Sequence, residues 1–548
     1  MYSPALAGRS TSDFRPRMPS IPLSIAVALY LLFVTNHTYW SKAWDYMSDQ
    51  PLAVIVLGFG MAGLFSAACI AVSVKYLTKP IFIFLILASA AAAWFMDQFG
   101  IIVDTEMIRN AAETNTAEAG HLMTPGFALH MLLFGIVPAA LVAIVRVEHR
   151  SFGRKVLHNL IAIAACLALA GAAAYQYSYM YASLIRIHRD WFETLNPVTP
   201  VASAVKFVIG KGSEANIVVK PLGTDAKVVG AAVPARKPRL VVIVAGETAR
   251  AENWSLSGYG RETTPELKTQ DITYFPKATS CGTSTAVSIP CLFSVYTRSD
   301  YTHRKGIETE NLVDVLRHAG VTVNWWDNNT GSYKVAARIQ EVSFPAMNDP
   351  AFCKDGECQD GMFLKEIDNW IGTITRDTVL VVHQIGSHGP SYFLRYPEEF
   401  RRFTPDCRSA EFADCTHEEL VNAYDNTLLY SDHIISSIID RLKAGQDRFD
   451  PSLIYASDHG ESLGEYGVYL HGAPYMIAPS QQTHVPFLLW FGDAEKKQID
   501  MACLAREAAG DVSHDNIFHT VLGMMHVETS VRDKSLDLVS SCRTGASS

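Results

Sequence analysis

The sequence predicts an α-helical membrane domain followed by an α/β domain outside the membrane. Three observations predict this. Apolar runs long enough to cross a bilayer crowd roughly the first 180 residues. Short, mostly β-branched runs alternate with helical patterns after Pro238. All but two of the ten cysteines lie beyond residue 280, in polar surroundings. At 548 residues the chain is too long for one ordinary domain, and a net charge of −9 gives no support for nucleic-acid binding.

The membrane half comes first. Five runs are expected to span: 21–34, extended by amphipathic residues to Trp40, then 52–74, 81–95, 127–145 and 156–175. The third is the shortest and leaves room for a tilted or buried element. Basic residues mark alternate ends: Arg9, Arg15 and Arg17, then Lys75 and Lys79, then Arg146, Arg150, Arg154 and Lys155. The opposite loops are acidic or mixed, with Asp45 and Asp49, then Asp97, Asp104, Glu106, Glu113 and Glu118. Basic loops stay on the cytoplasmic side, so the N-terminus is expected inside and everything after about residue 178 outside. The first run has no small-residue cleavage site, and so is expected to be an anchor. Residues 179–207 mix aromatics with Arg186, Arg189 and Lys206, which suits an interfacial amphipathic helix. The stretch 210–238 is rich in Gly, Ala, Lys and Pro and is expected to be a linker. The expected divisions are 1–177, 178–237 and 238–548.

In the last of these, strands are expected at 240–245, 321–326, 378–383, 453–456 and 487–491, with helices at 311–318 and 418–442. Strands alternating with helices imply a largely parallel sheet, and such sheets bind ligands at the carboxyl ends of their strands. Outside the cytosol, cysteines pair. Proximity in sequence pairs Cys281 with Cys291, Cys353 with Cys358, Cys407 with Cys415, and Cys503 with Cys542. Cys69 and Cys166 sit inside apolar runs as free thiols.

Polar residues gather at the expected strand ends. The first strand runs into Glu247, the fourth into Asp458 and His459, and the third is followed by His388; His471 comes after a glycine-containing turn. Glu247, Asp458 and His459 could converge on one metal with a hydroxyl as fourth ligand, and His388 and His471 on a second. Imidazole with carboxylate suits zinc. The stretch 280–291 supplies hydroxyls next to a glycine and ahead of a helix start, where N–H groups favour negative charge.

Four motifs carry a resemblance: Gly246-Glu-Thr-Ala-Arg250, Ser280-Cys-Gly-Thr-Ser-Thr-Ala286, His383-Gln-Ile-Gly-Ser-His-Gly-Pro390, and Ser457-Asp-His-Gly-Glu-Ser-Leu-Gly464 followed by His471. Together they closely resemble the lipid A phosphoethanolamine transferases, chromosomal and mobilised, over nearly the whole chain. The resemblance implies an alkaline phosphatase-like (sulfatase-like) periplasmic domain on an inner-membrane anchor. It implies Thr285 as the nucleophile that carries phosphoethanolamine, and Glu247, Thr285, Asp458 and His459 as ligands of a tight Zn2+. His388 and His471 match residues for a second zinc or for substrate. Asn110, Thr114, Glu118, Asn329, Lys334 and Glu461 fall at substrate-binding positions. The implied donor is phosphatidylethanolamine, the acceptor a lipid A phosphate, the outcome polymyxin resistance, and the protein a monomer. Transfer to a core sugar or glucan, and phosphoglycerol transfer, are neighbouring readings. A sulfatase is disfavoured, because Cys281 and Cys291 lack the Pro and Arg that formylglycine formation needs.

Overall fold

The computed structural model of the protein describes residues 16–114, 116–148, 151–214, 217–230, 236–354 and 357–544. Arg9, Arg15 and Arg150 lie outside the described residues, and the side chains of Glu118 and Arg189 are not among those described. The described chain forms two compact units. One holds the residues up to Gln98 together with Pro125–Ser203; the other holds Phe99–Thr124 and everything from Ala204 on.

The first unit is helical. Among the described residues, Pro51–Ala71, Thr78–Phe99, Pro125–Ile144 and Phe152–Gln176 are long and apolar enough to cross a membrane, and a bent pair, Ser20–Val34 with His37–Met47, makes five if counted as one span. The extension of the first run to Trp40 is helical but bent, the chain turning by 64° between the two helices. Side chains there compete with the helical ladder. Thr35 Oγ1 and Asn36 Nδ2 both donate to the Leu31 carbonyl, each at 2.8 Å, and Asn36 leaves helical geometry. The Asn36 side chain also takes both main-chain groups of Asn196: Nδ2 donates to its carbonyl at 2.6 Å, and Oδ1 accepts from its N–H at 2.8 Å. The third run is longer than expected at 22 residues, since Pro80 is tolerated in a first turn.

Small residues let Pro51–Ala71 lie against Phe152–Gln176. A Cβ on Gly63 would stand 2.6 Å from the Cys166 carbonyl, and one on Gly60 3.0 Å from the Ala173 Cβ. Between apolar helices in lipid, close backbone approach is what drives association. The single interfacial helix expected over 179–207 is instead three pieces, Ser178–Ile187, Arg189–Glu193 and Val198–Glu214. His188 leaves helical geometry between the first two, and Pro197 precedes the third.

The second unit is built on a seven-stranded sheet. Its strands in chain order are β1 (Arg239–Gly246), β2 (Ile272–Tyr274), β3 (Thr322–Asp327), β4 (Gln340–Ser343), β5 (Thr378–His383), β6 (Asp450–Ser457) and β7 (Phe487–Phe491). Their order across the sheet is β2-β7-β6-β1-β5-β3-β4, parallel from β6 to β4, with β7 and β2 antiparallel at one edge. In β1, Val241, Ile243 and Ala245 join one core, while Leu240, Val242 and Val244 join the other. Both faces are therefore covered, which is why these strands read as continuous apolar runs. Each such Val, Leu or Ile contributes about 1.5–3 kcal/mol by leaving water. The helix His417–Ala444 opens with a capping box between Thr416 and Glu419 and packs on the second face. Leu312–His318 and Asp515–Met524 cover the first.

The edge strands β2 and β4 were not legible in the sequence, being three and four residues long and partly polar. The expected linker is also more ordered than its composition suggested. A helix continues to Glu214, Lys220 bridges to Thr309, and Lys227–Val228 pairs with Val527–Glu528. All four expected disulfides are present, and Cys69 and Cys166 are free.

Candidate active site

The sheet brings its functional residues together by register. Ser457 of β6 stands opposite Gly246 of β1, and His383 of β5 opposite Ala245 of β1 and Asp327 of β3. Residues just past these ends therefore share one rim. Glu247, Asp458 and His459 meet there, fully buried, with their donor atoms within 4.8 Å of one another. Among the described residues this is the one group of three such side chains placed to hold a metal.

Thr285 opens the helix Thr285–Leu292 and points into this group. Its Oγ1 donates to Glu247, at 3.2 Å from Oε1 and 3.3 Å from Oε2, and lies 3.3 Å from His459 Nε2. The Cys281–Cys291 disulfide ties the strand-side loop to the last turn of the same helix. Ser284 is the extended residue ahead of the helix, so Thr285 is its first residue and the hydroxyl lies beside the free N–H groups of the first turn. Thr283 donates instead to the Ala473 carbonyl, and Ser280 to the Gly282 carbonyl, so those hydroxyls serve the loop.

The group suits a divalent cation. Asp458 Oδ1 accepts from the Thr248 and His459 N–H groups, but buried Oδ2 has no hydrogen-bond partner. An orphaned buried carboxylate oxygen is costly unless a cation takes it. His459 Nδ1 donates to the Gly460 carbonyl at 2.9 Å, which leaves Nε2 facing the carboxylates as a ligand lone pair. Charge is unevenly spread in the bare cluster. Burial and neighbouring Glu247 push Asp458 up to about 7. Burial alone would lower His459, but Asp458 and Glu247 raise it to about 10. Burial also opposes charge on Glu247, yet the hydrogen bond and charge of His459 hold it well below the usual carboxylate range. Three ionisable groups in dry surroundings compete for protons that a cation would displace.

Glu247 is clamped from three further sides. Thr248 Oγ1 donates to Oε1 at 2.5 Å and Asn329 Nδ2 to Oε2 at 2.6 Å. Thr248 is held at φ 58°, a left-handed conformation rare for a β-branched residue and found where the surroundings impose it. Gly386, at φ 47°, lets Ser387 N–H reach the Glu247 carbonyl; a Cβ there would stand 2.7 Å from that oxygen. Asn329, expected at a substrate position, thus also braces a metal-type carboxylate.

Sequence reasoning missed His383 and Asp327. They are buried, joined at 2.7 Å through His383 Nδ1, and His383 Nε2 stands 4.0 Å from Glu247 Oε2. The available signal was their place at the ends of adjacent strands.

His388 and His471 lie at the same rim. The His471 ring lies 4.4 Å from that of His459 and 5.5 Å from that of His388, centroid to centroid. Glu461 is completely buried, and its oxygens accept from His471 Nδ1 and the Tyr392 hydroxyl. Expected at a substrate-binding position, Glu461 has both carboxylate oxygens turned to protein groups. Lys334 is largely exposed and reaches Glu214 at 3.4 Å. The loop expected to contact substrate belongs to this same unit. Its helix Thr105–Glu113 packs on Thr285–Leu292, and Met107 comes so close to Gly472 that a Cβ there would lie 2.6 Å from its methyl. Asn110 is carried on that helix, and the Thr114 hydroxyl donates back to the Asn110 carbonyl at 2.7 Å. Glu118 lies on the following helix, Thr116–Leu122.

Two family models match the chain: Phosphoethanolamine transferase EptA/EptB over residues 61–211, and Sulfatase over 239–527. Phosphoethanolamine transferase EptA of Escherichia coli (strain K12) is 36% identical over 540 residues, 96% of this chain and 98% of that protein. Phosphatidylethanolamine transferase Mcr-1 of Escherichia coli is 36% identical over 537 residues, 95% and 98% of the two chains. Among solved structures, the integral membrane protein lipooligosaccharide phosphoethanolamine transferase A (EptA) from Neisseria meningitidis matches with a TM-score of 0.93 at 35% identity, covering 96% of this chain and 100% of that one.

Proposed function

Because the chain belongs to the EptA/EptB phosphoethanolamine transferase family, we propose that it moves phosphoethanolamine from phosphatidylethanolamine to a lipid A phosphate, with Thr285 as the carrier. The observation that carries the nucleophile assignment is the Thr285 hydroxyl, buried at a helix start and hydrogen-bonded to Glu247.

Two in-line displacements describe the transfer. In the first, Thr285 Oγ1 bonds to the phosphorus and the bond to the diacylglycerol oxygen breaks. The Thr285 proton, which points at Glu247, is lost, and the diacylglycerol oxygen gains one. In the second, a lipid A phosphate oxygen bonds to the phosphorus, the Thr285 bond breaks, and the hydroxyl is restored. Splitting the transfer lets two bulky lipids use one site in turn. A Zn2+ held by Glu247, Asp458 and His459 beside Thr285 would ease loss of the hydroxyl proton and offset charge on the transferring group. The N–H groups at the start of Thr285–Leu292 favour the same charge. His471, with Nδ1 committed to Glu461, presents Nε2 toward the transferring group, with His388 beside it. Asn110, Thr114, Glu118, Asn329 and Lys334 complete the substrate surface in this reading.

The reading puts the catalytic unit in the periplasm of a bacterial inner-membrane protein, acts through a monomer, and leaves the N-terminus in the cytoplasm. An ammonium-capped phosphate carries less negative charge, so polymyxins and other cationic peptides bind the surface less well. Mass spectrometry of lipid A from cells expressing the chain tests it. The expected result is one added phosphoethanolamine, absent with Thr285→Ala. Unmodified lipid A beside a modified core or glucan would overturn the acceptor.

A further inference from the structure

His514 immediately precedes the helix Asp515–Met524, yet its side chain does not cap that helix. The ring is spent elsewhere. Nδ1 accepts from the Cys281 N–H at 3.1 Å, and Nε2 donates to the Ser457 carbonyl at 2.9 Å. Cys281 begins the loop that delivers Thr285; Ser457 is the residue before Asp458. One buried imidazole therefore spans the two chain segments that must meet at the active site.

The bonds fix its chemistry. An acceptor at Nδ1 and a donor at Nε2 define one neutral tautomer, and a second ring proton would face the Cys281 N–H. The surrounding main chain holds the ring in place. Val512 and Ser513 pair in parallel with Ala278 and Thr279, and His514 N–H donates to the Thr279 carbonyl at 3.1 Å. Asp515 Oδ1 accepts from the Arg298 N–H at 2.7 Å, on the far side of the Thr285 helix. Segment 512–515 thus grips the nucleophile loop before and after Thr285, and His514 alone among these groups also reaches the Asp458 strand end.

We propose that His514 is a positioning residue for transfer: it sets the register of Thr285 against Glu247, Asp458 and His459. The inference rests on Thr285 being the nucleophile. A shift of about 1 Å between reacting groups costs on the order of 100-fold in rate, so a lost register is felt in turnover before it is felt in binding.

The test uses the full-length protein in detergent, with phosphatidylethanolamine as donor and lipid A as acceptor. His514→Leu keeps the volume and removes both bonds; His514→Asn keeps an acceptor near Nδ1, and His514→Gln a donor near Nε2. The expected result for His514→Leu is kcat lowered at least ~10-fold per folded, zinc-loaded molecule, with the donor KM within about twofold. Asn and Gln should recover part of kcat, and they carry the test if Leu fails to fold. Unchanged kcat per folded molecule in the variants would overturn the inference, as would losses wholly explained by the unfolded fraction. Thr285→Ala, run alongside, separates the two ideas: if it transfers normally, the nucleophile reading itself has failed.

Discussion

His471 Nδ1 lies 2.8 Å from Glu461 Oε2, and the second oxygen of that buried carboxylate is taken by the Tyr392 hydroxyl. Gly389 makes room for this, since a Cβ there would stand 2.9 Å from both Glu461 Oε1 and the Tyr392 oxygen. The His471 ring is thereby held with its centroid 4.4 Å from that of His459. In the proposed reaction Glu461 would therefore act through His471.

Glu461→Gln keeps the shape but loses the charge that fixes the His471 tautomer. Such outer partners of functional histidines are worth about 10–100-fold in activity or metal affinity. Transfer should fall by that factor in folded protein, measured as initial rate on phosphatidylethanolamine. A wild-type rate would mean His471 needs no orientation.

Glu247→Gln should empty the tight metal site. Zinc added to stripped wild-type protein should raise its melting temperature, because a ligand that binds only the native state stabilises it. The variant should show no such rise, and metal analysis should find it unloaded. Equal zinc stabilisation of both proteins would remove Glu247 from the ligand set.

Much of this site was legible in the sequence because its residues sit at strand ends, and the strands announce themselves. The runs ending at Gly246, His383 and Ser457 are apolar on both faces, so the polar residues that follow stand out. Thr285 needed the family motif, since Thr283 and Ser284 beside it are equally hydroxylic. What stayed hidden was pairing at a distance. His383 with Asp327, Glu461 with His471, and Asn329 with Glu247 join residues 56, 10 and 82 positions apart, through side-chain angles that no local pattern encodes. The breaks in the first run and in 179–207 were hidden for a related reason. Asn36 and Asn196 read as ordinary polar residues until each meets the other.

The Cys281–Cys291 bridge closes a short loop around the nucleophile, with a sequence separation of 10. Cross-linking a loop of that size is worth about 2–3 kcal/mol in the chain-entropy account. Replacing both cysteines by serine should lower the denaturant midpoint of the catalytic unit and reduce transfer more than the Cys407→Ser/Cys415→Ser pair does. Equal effects on transfer would show that the first bridge serves stability alone.

Asp432 gives a pH signature. It is fully buried on the helix His417–Ala444 and accepts N–H bonds from Glu266 and Leu267, each at 2.9 Å, but burial prevails and raises its carboxyl to about 7. An unfolded Asp titrates near ~3.9. The native state therefore binds this proton more tightly. The stability it contributes is complete below about pH 4 and is lost as pH rises towards about 7. Asp432→Asn lacks this titration, so its melting temperature should gain on wild type steadily between those values. A pH-independent difference would contradict the assignment.

The most direct test of the central claim is the covalent state of Thr285. Purified wild-type protein is mixed with phosphatidylethanolamine without lipid A, quenched, digested, and the peptide carrying residues 280–291 is sequenced by mass spectrometry. The account predicts phosphoethanolamine on Thr285, lost when lipid A is added and absent in Thr285→Ala. Phosphoethanolamine on Thr283, Ser284 or Ser288, or transfer to lipid A with Thr285 never modified, would contradict it.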